Sequence, residues 1–347
     1  MVRAGDRYGL HRVLNPEGCL PQSALKLDNT PVIYDNEILI DVAILNITAA
    51  AFTRLEQQFH GNPEKIGSEI LRIIAERGKF QDPDTGSGGM LVGTVEEIGP
   101  KLIGKMDLQV GDKIATLVSL SLTPLLIDRV LRVDVEKDQV YVEGKAILFE
   151  SGLYSKIPAD LPESLSVAIM DVAGAPAHTA KLVKAGDTVA VVGVGKAGLL
   201  CLHEAKKRAG VTGRVVAIEP DVRQAEVVRN LGLADCVVQG DATKPVEVLR
   251  KFQAATGGHL ADLVINTVNV PNTELASILI AKEHGQVLFF SMSTSFAKVA
   301  LGAEGIGKVI TLLVGTGYTE GHAEITLQIL RENQPLRHYF EVLYQPR

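Results

Sequence analysis

The residues best suited to chemistry are Gly193-Val194-Gly195-Lys196-Ala197-Gly198, a G-x-G-x-x-G run. Alone, the pattern is weak. Here it follows the continuous apolar stretch 188–192 and opens a helical pattern over 197–209, the strand–turn–helix setting that the motif requires. Small residues are needed because main-chain N–H groups must come close to a diphosphate. Gly193 permits the tight turn, Gly195 removes a side chain that would block the phosphates, and Gly198 lets the helix pack near the strand. The helix start contributes unpaired donors and the positive end of its dipole. The next strand pattern, 214–219, ends on Glu219, a little beyond the ~20 residues usual between the first glycine and the ribose-binding acid. A carboxylate there accepts hydrogen bonds from ribose hydroxyls and repels a 2′-phosphate. NAD is therefore expected rather than NADP, with Arg223, one turn into the following helix, as the countersignal that would tolerate the extra phosphate. Asp241-Ala242 should lie near the adenine, and residues 266–269, ending in Asn269, together with 291–292, should approach the nicotinamide end.

These groups need a framework, and the chain supplies one in two styles. Before about residue 155 it alternates short β patterns with turns: 37–43, 91–98 followed by Gly99-Pro100, 110–118, and 133–135 separated from 140–142 by Lys137-Asp138-Gln139. Many short strands of this kind suggest a small barrel-like β domain. Residues 63–78 interrupt it with Ile66, Ile70, Leu71, Ile73 and Ile74 at helical spacing, ahead of the glycine-rich Gly86-Ser87-Gly88-Gly89. From about residue 160 helix and strand alternate. A helix over 165–183 is interrupted at Gly174-Ala175-Pro176. Strands are predicted at 188–192, 214–219, 235–238, 263–266, 286–290 and 309–314, with helices at 197–209, 222–231, 246–256 and 321–332. This alternation implies a doubly wound parallel sheet covered on both faces.

Composition narrows the class. The chain has 347 residues, 46% apolar, and a net charge of −6, enough for two domains with sizeable cores. A mildly acidic protein is a poor candidate for nucleic-acid or anionic-membrane binding. No apolar stretch reaches ~18 residues, and the N-terminal residues lack an apolar signal region, so a cytoplasmic protein is expected. Cys19, Cys201 and Cys236 are far apart and form no CxxC pair, so reduced thiols are expected.

The β domain ahead of a dinucleotide fold resembles the medium-chain dehydrogenase/reductase superfamily. The resemblance rests on Gly93-Thr94-Val95-Glu96-Glu97-Ile98-Gly99, Val110-Gly111-Asp112-Lys113-Ile114 and the run at Gly193. It implies a GroES-like catalytic and substrate domain over 1–155, a Rossmann domain over 156–333, and a tail over 334–347 that packs back on the first domain. Many superfamily members bind zinc, but this chain has Gly88-Gly89-Met90 where a Gly-His-Glu would stand. It also lacks the cysteine after the first strand, with Ala49-Ala50-Ala51 nearby. Catalytic zinc needs three protein ligands, so no metal is expected. Further segments narrow the resemblance to the L-erythro-3,5-diaminohexanoate dehydrogenases: Thr85-Gly86-Ser87-Gly88-Gly89-Met90-Leu91, Gly144-Lys145-Ala146-Ile147-Leu148-Phe149-Glu150, Asp171-Val172-Ala173-Gly174-Ala175-Pro176, and Val270-Pro271-Asn272-Thr273-Glu274. That family implies NAD-dependent oxidative deamination of a small diamino acid in lysine fermentation. A homo-oligomer is expected, whose fifth and sixth sheet strands could pair across a dimer as in many relatives.

The residues can be matched to that chemistry. An amine must be neutral to lose hydride from its carbon, so a base has to take its proton and later activate water. Asp171 lies in the segment that carries a zinc ligand in metal-binding members, and Glu150 lies in the passage joining the two domains, so both are acid/base candidates bordering a cleft between them. Lys145 and Arg54 are candidates for the substrate carboxylate, and Thr123, with Ser119 and Ser121, for hydrogen bonds to substrate. Each has a structural reading too, as an ordinary ion pair, a solvated charge or a locally satisfied hydroxyl. His11, His178 and His322 are read as packing or surface residues. The rival functions are a zinc-independent enone or quinone reductase, which would want an apolar acceptor pocket, and a dinucleotide-binding protein without turnover.

Overall fold

The computed structural model describes residues 3–291, 293–314 and 317–345. Contacts divide the chain into two units, Met1–Asp171 with Leu343–Arg347, and Val172–Val342.

The first unit contains β1 (Val13–Asn15), β2 (Lys26–Leu27), β3 (Glu37–Ile47), α1 (Ala49–Phe59), α2 (Pro63–Arg77), β4 (Gly89–Ile98), β5 (Lys113–Thr116), β6 (Leu125–Asp134), β7 (Gln139–Phe149), β8 (Tyr154–Lys156) and α3 (Glu163–Met170). Six of these strands form one antiparallel sheet in the order β6-β7-β3-β4-β5-β8. The central strand β3 is rich in branched residues and is buried along its length except at Asp41 and Ala43. Helix α2 starts where the Asn62 side chain accepts the Lys65 N–H and Pro63 occupies the first turn, and it stops at Gly78, whose φ is 66°. Its isoleucines at 66, 70, 73 and 74 are buried, and a Cβ on Gly67 would lie 3.2 Å from Val133 Cγ2, so the helix rests directly on β6.

A buried ion cluster ties the start of the chain to β3. Arg12 and Glu37 are both fully buried, and Arg12 Nε and Nη2 donate to the two Glu37 carboxylate oxygens at 2.9 and 2.6 Å. His11 Nδ1 accepts the Asp6 N–H, which leaves Nε2 as the protonated nitrogen that donates to Glu37 Oε1 at 2.8 Å. Burial pushes the Glu37 carboxyl up, but hydrogen bonds from His11, Arg12 and the Tyr34 amide outweigh it and hold it at about 2.

The second unit contains α4 (Gly174–Leu182), β9 (Thr188–Val192), α5 (Lys196–Ala209), β10 (Arg214–Glu219), α6 (Val222–Asn230), β11 (Cys236–Gln239), α7 (Pro245–Thr256), β12 (Ala261–Asn266), α8 (Glu274–Ile280), β13 (Ala281–Phe289), α9 (Phe296–Ile306), β14 (Thr311–Val314), α10 (His322–Glu332) and α11 (Gln334–Tyr344), whose last two residues count with the first unit. All neighbours in its sheet run parallel, in the order β11-β10-β9-β12-β13-β14. Numbered within the unit, that is third-second-first-fourth-fifth-sixth. The chain therefore reverses direction across the sheet between β9 and β12, and ligands of such sheets bind beyond the strand ends at that point.

Several boundaries differ from the sequence pattern, among them the start of β13 at Ala281 rather than 286, the start of β14 at Thr311 rather than 309, and two near the join of the units. The break in the 165–183 helix falls at 171–173, and Gly174-Ala175-Pro176 forms the first turn of α4. Proline is tolerated there because its missing N–H has no partner in a first turn. The division between units lies after Asp171 rather than near residue 155. Helix α3 is held in the first unit: Gln139 Nε2 donates to Ser164 O at 2.8 Å, and Ser164 Oγ donates to Tyr344 O at 3.1 Å. Among the described residues no helix is long and apolar enough to cross a membrane.

Candidate functional site

The glycine turn lies at the end of β9, at the point of reversal. Its three glycines do different work. Gly193 has φ 81°, and a Cβ there would lie 2.7 Å from Val268 Cγ2. A Cβ on Gly198 would lie 2.1 Å from the Gly193 carbonyl oxygen, so bare backbone is what lets α5 sit so near its own strand. Gly195 is the opposite case: a Cβ there would meet nothing within 4 Å, and the residue is exposed. The missing side chain at Gly195 serves no packing need of the protein itself.

Helix α5 starts at Lys196 with Gly195 as its N-cap, and no side chain caps it. The Leu199 N–H closes the first helical bond to Gly195 O. The amides of Ala197 and Gly198 precede that bond, in the first turn, where the helix itself offers no carbonyl to accept them. Donors and dipole therefore converge beside the open space at Gly195, the arrangement that holds a phosphate.

Two consecutive peptide planes of the turn are pinned by side chains. Thr267 Oγ1 donates to Gly193 O at 2.9 Å, and the Val194 N–H donates to Glu219 Oε2 at 2.9 Å. Gln224 Nε2 donates to Val194 O at 2.6 Å. Glu219 ends β10, is 9% exposed, and also accepts the Asp221 N–H at 3.1 Å through Oε1. Asp221 in turn caps α6, accepting the amides of Arg223 and Gln224. Arg223 is exposed.

The other expected cofactor residues stand on neighbouring loops of the same sheet edge. Asp241 follows β11; hydrogen bonds from the Thr243 hydroxyl and amide hold its carboxyl below the usual range. Ala242 beside it is buried. Asn269 is exposed after β12, and its Oδ1 accepts the Ser291 hydroxyl at 2.9 Å. The buried Asn266 braces that loop by donating to Thr273 Oγ1 and Ser277 Oγ and accepting the Val268 N–H. Met292 lies outside the described residues. Thr267 and Gln224 are what the motif did not single out: a hydroxyl and an amide far along the chain whose roles exist only once β9, β10 and β12 are neighbours.

The candidates for substrate chemistry belong to the first unit and stand among different partners. Glu150 follows β7 and accepts Asn36 Nδ2 and Lys101 Nζ, each at 3.1 Å; these bonds hold its carboxyl below the usual range. Lys145, on β7, is bound by Glu96 and by Asp41, and the Glu96 bond raises it above the usual lysine range. Arg54, on α1, donates through Nε to the fully buried Asp82 and through Nη1 to Gln58. Asp82 organises the glycine-rich loop, accepting the amides of Asp84 and Thr85 and the Thr85 hydroxyl. Thr123 is buried and donates to Ser119 O at 3.0 Å. Asp171, half-buried, ends α3 with its N–H on Val167 O. Among the described residues no three His, Cys, Asp or Glu side chains are grouped as metal ligands would be.

Known proteins resemble both units. A family model described as the L-erythro-3,5-diaminohexanoate dehydrogenase N-terminal domain matches residues 11–158, and one described as a TrkA-N domain matches residues 189–312. The chain is 55% identical to an L-erythro-3,5-diaminohexanoate dehydrogenase of Acetoanaerobium sticklandii, over 98% of this chain and 99% of that protein. It is 53% identical to the enzyme of the same name from Fusobacterium nucleatum, over 99% and 100%. In fold it is similar to a zinc-binding dehydrogenase of Clostridium scindens, with a TM-score of 0.55 at 16% identity over 90% of this chain and 88% of that one.

Proposed function

The chain belongs to the L-erythro-3,5-diaminohexanoate dehydrogenase family, and we propose from that membership that it oxidises the C3 amine of L-erythro-3,5-diaminohexanoate with NAD, giving 5-amino-3-oxohexanoate, ammonia and NADH. The observation that carries the cofactor half of this reading is the unfilled space at Gly195 beside the uncapped start of α5. The residues there fit a dinucleotide: Gly195 to Gly198 would hold its diphosphate and Glu219 its adenosine ribose. Bound there, the nicotinamide supplies a hydride acceptor for the carbon that bears the amine.

The chain's own residues must manage protons and charge. A base takes the ammonium proton before hydride leaves and passes it to solvent; it then takes a proton from the water that adds to the iminium carbon and returns it to the nitrogen, so that ammonia departs as the new hydroxyl gives its proton to solvent and the ketone forms. We assign this role to Asp171. The choice rests on its place in the segment that carries a zinc ligand in metal-binding members of the superfamily, with Glu150 as the second candidate. The substrate carboxylate is assigned to Arg54, whose planar guanidinium can meet a carboxylate through two donors at once; Asp82 accepts Nε and lies 2.5 Å from Nη2, Gln58 accepts Nη1, and Asp84 lies 3.4 Å from Nε. Lys145, paired with Asp41 and Glu96, is the second candidate. NAD is preferred over NADP because the Glu219 carboxylate would repel a 2′-phosphate.

The test is direct: reduced-nicotinamide absorbance with L-erythro-3,5-diaminohexanoate, against lysine as control, with NAD and NADP in parallel. NADH formation with the diamine alone supports the reading. No reduction with the diamine, or reduction of an enone by NADPH instead, would replace it. We also propose a homo-oligomer joined along the edge strand β14, which follows the exposed Val309. Light scattering that returned a monomer's mass would exclude it.

A further inference from the structure

The turn between β9 and α5 is held by more than its glycines. In a trans peptide the carbonyl and the N–H of the same plane point in opposite directions. For the plane joining Gly193 and Val194, the carbonyl accepts Thr267 Oγ1 on one side and the N–H donates to Glu219 on the other. Both ends are used by the protein. For the next plane, joining Val194 and Gly195, only the carbonyl is held, by Gln224 Nε2 at 2.6 Å. The Gly195 N–H must then point away from Gln224. Gly195 is exposed and a Cβ on it would meet nothing within 4 Å. Glycine on one side of this plane makes rotation of the whole peptide cheap, so without a partner for the Val194 carbonyl the plane is free to flip and present an oxygen in place of a donor.

Gln224 is itself placed with care. It is the third residue of α6, and its own amide is held by the Asp221 side chain, while the Asp221 amide is held by Glu219 Oε1. The β10–α6 corner therefore reaches across to the neighbouring turn through two side chains, Glu219 and Gln224, one for each polar group of Val194.

We propose that Gln224 is a positioning residue for the cofactor: by holding the Val194 carbonyl it fixes the Gly195 N–H as a donor to the nucleotide diphosphate. The proposal rests on the dinucleotide reading of this turn and adds to it a residue that acts without touching the ligand.

The experiment uses the full-length chain, with dissociation constants for NADH, ADP and adenosine measured by titration and competition, alongside thermal unfolding. Gln224→Leu keeps the size and removes the donor. It should weaken NADH and ADP roughly tenfold, the scale of one lost hydrogen bond, while adenosine, which has no phosphate, changes less than twofold. Gln224→Lys, long enough to donate to the same carbonyl, should recover most of the loss. The inference is overturned if Gln224→Leu binds NADH and ADP as the parent does, or if all three ligands weaken alike with a lowered unfolding midpoint, the mark of a merely structural role. Failure of the parent protein to bind NADH or ADP would instead remove the dinucleotide reading itself, so the two failures are distinguishable.

Discussion

Substituting alanine at Gly195 separates binding from folding in a way that the neighbouring glycines do not. The residue has φ −65° and ψ −163°, a conformation open to any L-residue, and the added methyl meets no atom of the protein within 4 Å. Glycine-to-alanine changes at compatible positions stabilise by ~0.4–1 kcal/mol through the unfolded state. Gly195→Ala should therefore unfold at the parent's temperature or slightly above it. Its methyl, however, occupies the space assigned to the diphosphate, and displacing a main-chain donor from a charged phosphate forfeits about 1.5–3 kcal/mol, a roughly ten- to hundredfold loss in NADH affinity. Gly198→Ala is the contrast. Its Cβ would lie 2.1 Å from Gly193 O, so α5 or the turn must move, at a cost of about 1–3 kcal/mol or more. The assay is thermal unfolding together with NADH fluorescence titration, which the absence of tryptophan simplifies. Gly195→Ala binding NADH with the parent's affinity would refute the reasoning, because the diphosphate would then lie elsewhere.

Asp171→Asn should abolish NADH formation while leaving NADH affinity near the parent's; measurable turnover would remove Asp171 from the proton chemistry. Glu219→Gln keeps an acceptor for the Val194 amide but drops the charge. It should narrow the preference for NAD over NADP, measured as a ratio of kcat/KM values, and an unchanged ratio would move that choice to Arg223 or other groups. In the buried ion cluster, Arg12→Ala leaves the Glu37 charge without its main partner and should cost ~3–5 kcal/mol of the first unit's stability. Because Glu37 is held at about 2, below its ordinary value of 4.5, its contribution is complete above the ordinary value and fades as pH falls towards about 2. Denaturant midpoints against pH should show that fall in the parent and a flatter curve in Glu37→Gln; equal slopes would contradict it.

Local chemistry wrote much of the second unit into the sequence. Residues 188–192 and 214–219 are strands to the residue, because an apolar run bounded by turn residues has one favourable use in a doubly covered sheet. The glycine turn was legible for the same reason, since its requirements are conformational and confined to six neighbouring residues. Helices α1, α8, α9 and α11 were less so. In α9, Phe296 and Leu301 are exposed although apolar, which blurs the helical period. What the sequence by itself determined, then, is the glycine turn and the strand and helix on either side of it. Only the tertiary structure decided which distant side chains brace that turn and which charges are already spoken for. Gln224 and Thr267 reach Val194 and Gly193 across strands, and Lys145 and Glu150 are neutralised by Asp41, Glu96 and Lys101. The physical reason is that a hydrogen bond or ion pair depends on distance in space, and pairs separated by tens of residues leave no periodic trace along the chain.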